Sequence, residues 1–218
     1  IPGALAGVLF PRFAGGPGAD GERVLAALYR RGIRVVSALM LPLCALAAAV
    51  AYDGLRLWLG DSFAANGHRI NEIVAMGVFA NAISHLPHAW LQATGRADLA
   101  AKAQLTELPI YATGMLVAVL YWGIVGAAAV WTLRVVADCV LLLWLARRES
   151  AQPVFGVLMA GIGLIALTGA LSGFVTSLQW RAASLLVCVA VAGAWAWRGL
   201  LDEEDRKDLL RMRHGKRI

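Results

Sequence analysis

Charge is scarce in this chain. Only 16% of its 218 residues are Asp, Glu, Lys or Arg, and 60% are hydrophobic, whereas a soluble domain carries about 25% charged and about 45–50% apolar residues. That balance excludes an ordinary soluble domain and points to a membrane protein. Cysteine is sparse too. Cys44, Cys139 and Cys188 each lie inside an apolar run and no Cys-x-x-Cys occurs, so they read as small buried hydrophobes, not as disulfide partners or metal ligands. There is no His-Glu-x-x-His, and neither His85 nor His88 has a carboxylate three or four residues on, so nothing completes a metal site. The apolar opening, Ile1–Phe10, has no basic segment before it. It does not resemble a signal peptide, is too short to span, and reads as the end of a helix cut by the sequence boundary.

A membrane-crossing helix needs about 20 mostly apolar residues. Six such stretches follow the stub: Ile33–Tyr52, Ile70–Gln92, Gln104–Trp122, Ile124–Arg147, Pro153–Ser172 and Ala182–Arg198. Only Gly123 separates the third from the fourth, which predicts a tight helical hairpin. The resulting division is a helix stub (1–10) that stops at Pro11, where helix continuation becomes costly, a cytoplasmic loop (11–32) that ends in a polar helical approach, an all-α transmembrane bundle (33–198) and a charged cytoplasmic tail (199–218). Leu55–Gly60 (LRLWLG) is too short to span and reads as an interfacial helix or turn. Trp58, Trp122, Trp144, Trp180 and Trp197 fall near span ends, where amphipathic rings favour the interface.

The net charge of +6 is a topology signal, not a nucleic-acid signal. Of the 20 Lys and Arg, 16 fall in segments 11–34, 93–103, 147–152 and the tail from 198, against three in the alternating segments. Short basic loops stay in the cytoplasm, which places both ends of the six-span unit inside. The longest outer segment, 53–69, holds Asp53, Asp61 and His68 without a recognisable catalytic arrangement, so an enzyme is not expected.

The apolar stretches contain polar residues in a pattern. Asn81, His85, His88 and Gln92 fall at offsets 0, 4, 7 and 11, one narrow stripe at about 100° per residue, with Gly77, Ser84 and Gly95 beside it. Such a stripe either ties helices together by hydrogen bonds or lines a solvated cavity. Histidines there also suit proton coupling. Glu107 shares a face with Tyr111, Gly114 and Ala118, and Arg134 and Asp138 are four apart and face the same way. Counting from Gly123 at about 1.5 Å per residue places Glu107 and Asp138 at nearly equal depth, with Arg134 about 7 Å away along the axis. A charge at mid-membrane costs roughly 2.5–3.5 kcal/mol on insertion scales. These residues therefore form either an Arg–Asp or Arg–Glu bridge that fixes packing, or a positive lining for an anionic substrate.

The string NAISHLPHAWLQATGRADLAAKAQLTELPIY (81–111) and the segment GIVGAAAVWTLRVVADCVLLLWLARR (123–148) together resemble the C-terminal half of bacterial polysaccharide and O-antigen flippases. VLFPRFA (8–14) and LRLWLG (55–60) fit the same pattern, and the resemblance covers about residues 8–148. The last two spans look generic, their glycines at 156, 161, 163, 169 and 173 suggesting only close helix packing.

The resemblance implies one half of a two-lobed exporter of 12 to 14 helices in the bacterial inner membrane. Such an exporter moves undecaprenyl-pyrophosphate-linked oligosaccharide between leaflets by alternating access. It implies a basic cavity, for which Arg134 is the candidate, balanced by Glu107 and Asp138 and joined by Asn81, His85, His88 and Gln92. Membrane lipids, a polysaccharide polymerase and a chain-length regulator are the implied partners, and an H+ or Na+ gradient, with no cofactor, is the implied energy source. His85, His88, Glu107 and Asp138 are the proton-coupling candidates. A drug or cation antiporter of the same superfamily is the nearest alternative. It would concentrate carboxylates, whereas here an arginine and two histidines share the interior.

Overall fold

The computed structural model describes residues 19–146 and 154–174, together with positions 190, 193 and 194. Among the described residues every regular element is an α-helix and none is a strand. Helix α1 is Ala19–Ala49, α2 is Ala51–Leu59 and α3 is Asp61–Ala93. The stretch Ala97–Leu145 is one run of helix broken at Gly123 (φ 59°, ψ −143°), and its two arms are named α4 (97–122) and α5 (124–145). Helix α6 is Val154–Phe174.

Local chemistry explains the breaks. Gly60 has φ 88°, a left-handed value that favours glycine, and its N–H is bonded to the Arg56 carbonyl at the end of α2. The side chain of Arg56 then clasps Asp61 across that turn at 2.6 Å, so α2 folds back against the start of α3. The end of α3 is a Schellman motif. Gly95 takes φ 72°, its N–H reaches the Gln92 carbonyl at 3.1 Å, and the Arg96 N–H reaches the Leu91 carbonyl at 2.8 Å, satisfying carbonyls the helix would otherwise leave unpaired. The sequence Thr94-Gly95-Arg96 is therefore a helix stop. Lys102 then bonds Asp98 at 2.9 Å in the first turns of α4.

Helix α3 is the centre of the packing. Its Ala75, Phe79, Ala80 and Ile83 share one core with Leu41, Cys44, Ala45 and Ala48 of α1, Val135 and Cys139 of α5, and Leu158 and Ile165 of α6. A second core joins Tyr29, Ile33 and Val36 of α1 to Ala82, Leu86 and Trp90 of α3, with the Tyr29 and Trp90 rings 5.2 Å apart. Glycines permit the closest approaches: a Cβ at Gly77 would stand 2.5 Å from the Trp131 ring, and one at Gly169 would stand 2.9 Å from Glu72. Gly161 lies against Phe79 in the same way, but Gly163 faces open space, so the expectation of close packing holds for only part of the α6 glycines. Pro87 is buried inside α3, which continues past it to Ala93.

The span count differs from the expectation of six. Among the described residues two helices are long and apolar enough to cross a membrane, Ala26–Ala49 and Ala97–Leu145, and Val154–Ala170 is a shorter apolar helix. The 33 residues of α3 give ample length. Its polar stripe and the charges at Arg69 and Glu72 make it less apolar than a lipid-exposed span. Helix α1 also begins at Ala19, well inside the segment expected as a loop. The stub at 1–10, the last expected span apart from positions 190, 193 and 194, and the tail lie outside the described residues, as do Trp180 and Trp197. Only 22% of the most apolar stretch of Ala97–Leu145 is buried. Leu105, Ile110, Leu116, Leu120, Ile124 and Leu133 all present their side chains outward.

Candidate functional site

The hairpin creates the site. A continuous helix would hold residues 107 and 134 about 40 Å apart at 1.5 Å per residue. The reversal at Gly123 brings them together, and close contact begins beside the turn. There Gly126, without a side chain, admits the Ala118 carbonyl and the Trp122 Cβ. Four positions before that, Gly114 faces Val130. Farther along, Arg134 Nε lies 3.9 Å from Glu107 Oε2, and the Arg134 guanidinium lies over the Tyr111 ring, 4.8 Å from its centroid. The bridge therefore crosses the hairpin to Glu107. Asp138, four residues along the same helix, keeps a buried Oδ1 that has no hydrogen-bond partner.

These charged groups are only loosely satisfied. At 3.9 Å the Arg134–Glu107 pair is beyond hydrogen-bond length, and both Arg134 Nε and Glu107 Oε2 are buried without a hydrogen-bond partner. Buried polar groups are rarely left in that state. The Arg134 side chain is 32% exposed and that of Glu107 17%, so the guanidinium has an open side. Both residues also line a pocket of about 340 Å³ between the arms. Glu107, Ile110, Tyr111 and Gly114 line it from α4, and Val130, Leu133, Arg134 and Ala137 line it from α5. Its accessible lining is almost entirely hydrocarbon.

The stripe on α3 meets this group at one end only. His88 and Gln92 bond to each other at 2.9 Å, and His88 is close enough to Asp138, and to His85, for their charges to interact. Asp138 in turn interacts with Glu107. His88, Asp138, Arg134 and Glu107 thus form a polar line running from α3 across α5 to α4. Asn81 departs from the expected grouping. It is exposed, and its backbone carbonyl accepts a hydrogen bond from Ser84 Oγ beside the stripe. Helices α3 and α5 are fastened by Thr132 Oγ1, which donates to the Ile73 carbonyl at 2.9 Å, and by the Trp131 ring in the notch at Gly77.

Among known proteins, the chain is 29% identical over 152 residues to a Shigella flexneri protein provisionally named an O-antigen transporter. The match covers 68% of this chain and 35% of that protein, so the chain matches about a third of its relative's length. No family model matches, and no solved structure matches. Apolar helices and this similarity lead to the same conclusion. The chain is a membrane protein. Its similarity is to a protein named as a transporter.

Two partners in the site were missed by sequence reasoning. Tyr111 was placed on the face of Glu107 but not as the ring beneath Arg134, although its spacing of four from Glu107 was the available signal. The fastening of Thr132 to Ile73 joins residues distant in sequence, and no local pattern announces it.

Proposed function

We propose that this chain belongs to an inner-membrane transporter that flips undecaprenyl-pyrophosphate-linked oligosaccharide, the repeat unit of O-antigen or exopolysaccharide, by alternating access. The observation that carries the reading is Arg134: a partly exposed guanidinium inside an apolar hairpin, stacked on Tyr111, its buried Nε without a hydrogen-bond partner. A cation so held is suited to an anionic group such as pyrophosphate. The name of the Shigella flexneri relative supports a glycan-linked cargo. In this reading the helical bundle has both ends in the cytoplasm and acts with a second lobe, the two rocking about a central cavity as in other transporters built from repeats. The protein is then a transporter and not an enzyme. Coupling to an H+ or Na+ gradient supplies the energy, and a polymerase and a chain-length regulator act on the product.

The test is made on the full-length gene in its own host. Depletion is expected to leave intact lipid-linked repeat units accumulating on the cytoplasmic face, with surface glycan falling. Normal lipid-linked pools and normal surface glycan would overturn the proposal.

A further inference from the structure

Glu72 is a charged residue of α3 that stands apart from the Arg134 group, in the first half of the helix and partly buried. Its side chain is laid along α6. From the point where a Cβ would stand on Gly169, Glu72 Cγ is 2.9 Å away, Cδ 3.0 Å and Oε2 3.3 Å, so the glycine leaves the room that the carboxyl arm occupies. Helix α6 has little to answer a negative charge there. Val154–Phe174 contains no Lys, Arg or His, and Thr168 Oγ1, beside Gly169, already donates to the Ile165 carbonyl.

Among the described residues, the countercharge comes from α3 itself. His68, one turn before Glu72, and Arg69 are the groups whose charges reach it, and Arg69 is exposed. His68 Nδ1 lies 2.9 Å from the Ala64 carbonyl. A carbonyl only accepts, so the neutral ring carries its proton on Nδ1 and leaves Nε2 bare. On α2, Tyr52 meets the His68 ring edge-on at 5.7 Å, and Asp53 follows it in the chain. Helix α1 brings the Cys44 thiol to the core around Ala75, and α5 is fastened at Ile73 by a threonine hydroxyl. Withdrawal from water penalises the charged form of a carboxyl group far more than the neutral one. We infer that Glu72 is a proton-binding site whose occupancy sets the contact between α3 and α6. Protonated, its side chain lies in the Gly169 notch. Ionised, it turns out toward His68, Arg69 and water, and the notch opens. The site rests on the geometry of the two helices; that its proton serves transport rests on the proposed function.

Dicyclohexylcarbodiimide tests this on the full-length protein in phosphatidylcholine nanodiscs. The reagent adds to protonated carboxyl groups in apolar surroundings and rearranges to a stable N-acylurea, with no atom lost. Peptide mass spectrometry reads the rate at each residue at pH 6, 7 and 8. Glu72 is expected to react at least tenfold faster at pH 7 than Asp61, which is exposed and paired with Arg56. From pH 6 to pH 7 the rate at Glu72 should fall less than threefold, where an ordinary carboxyl, already ionised, falls about tenfold. Gly169→Ala, which puts a methyl group where the carboxyl arm lies, should bring Glu72 to the behaviour of Asp61. Arg69→Gln, at an exposed position, should keep Glu72 reactive to higher pH. In thermal unfolding, Glu72→Gln imitates the protonated group and should raise the midpoint at pH 8 while leaving it unchanged at pH 6. Reaction no faster than at Asp61 would make Glu72 an ordinary surface carboxylate and overturn the inference. Fast reaction indifferent to Gly169→Ala would show the proton held away from α6 and overturn it equally. A reactive, Gly169-dependent Glu72 in a protein whose depletion leaves glycan export normal would sustain the site and sink the flippase. An unreactive Glu72 in a protein whose depletion blocks export would do the reverse.

Discussion

Arg134 and Glu107 are 27 positions apart in the chain (107 to 134) and 3.9 Å apart across the hairpin. Gly123 makes that possible, because its φ of 59° with ψ −143° is a conformation open essentially to glycine. One backbone position thus determines whether the apolar arms expose isolated charges or gather them.

The hairpin is tested by cross-linking. In a chain with Cys44, Cys139 and Cys188 replaced by Ala, Gly114→Cys with Val130→Cys should oxidise to an intramolecular disulfide, seen as a linked peptide pair by mass spectrometry. In a straight helix those positions would be about 24 Å apart, and no link within one chain could form. Gly123→Val should lower stability by about 1–3 kcal/mol, measured as loss of folded protein in a thermal unfolding series.

The notch between α3 and α5 predicts a coupled pair. Gly77→Ala drives a methyl group to within 2.5 Å of the Trp131 ring and should cost about 1–3 kcal/mol through overpacking. Adding Trp131→Leu should recover part of that loss, giving a non-additive cycle. Strict additivity would mean that the two side chains do not meet.

Exchange across the ion pair separates packing from function. Removing one partner of a fully buried pair costs about 3–5 kcal/mol; with Arg134 32% exposed, Arg134→Ala should cost less and leave measurable protein. Arg134→Lys should preserve abundance and cut export at least tenfold, because an ammonium lacks the planar fork. The swap Arg134→Glu with Glu107→Arg should restore abundance but not export. Recovery of both would reduce the pair to a packing device.

The histidines offer a test of coupling. His88 joins Gln92 to the neighbourhood of Asp138, so replacing His85 and His88 together with Gln should alter the pH dependence of transport. An unchanged profile, measured at equal abundance, would dismiss proton relay through them.

Much of this arrangement was legible in the chain. The single glycine between two apolar stretches announced the hairpin, and counting residues from it placed Glu107 opposite Asp138 and within reach of Arg134. The partner of Arg134 was not legible. Spacing of four favours Asp138 as readily as hairpin register favours Glu107, and only side-chain directions across the seam decide between them. The stripe on α3 was legible as a period and misleading as a group. A helix of 33 residues crosses several neighbours along its length, and only the His88 end lies beside the charges while Asn81 stands apart. The span count erred for a related reason. The same polar residues that make α3 interesting make it less apolar than a helix bathed in lipid.

The most direct measurement is translocation itself. Full-length protein is reconstituted into vesicles carrying a lipid-linked oligosaccharide whose glycan is accessible to a membrane-impermeant glycosidase only in the outer leaflet. The account predicts protein-dependent movement between leaflets, lost in Arg134→Ala at equal incorporation. Movement no faster than in protein-free vesicles, in both the presence and absence of an imposed ion gradient, would contradict it.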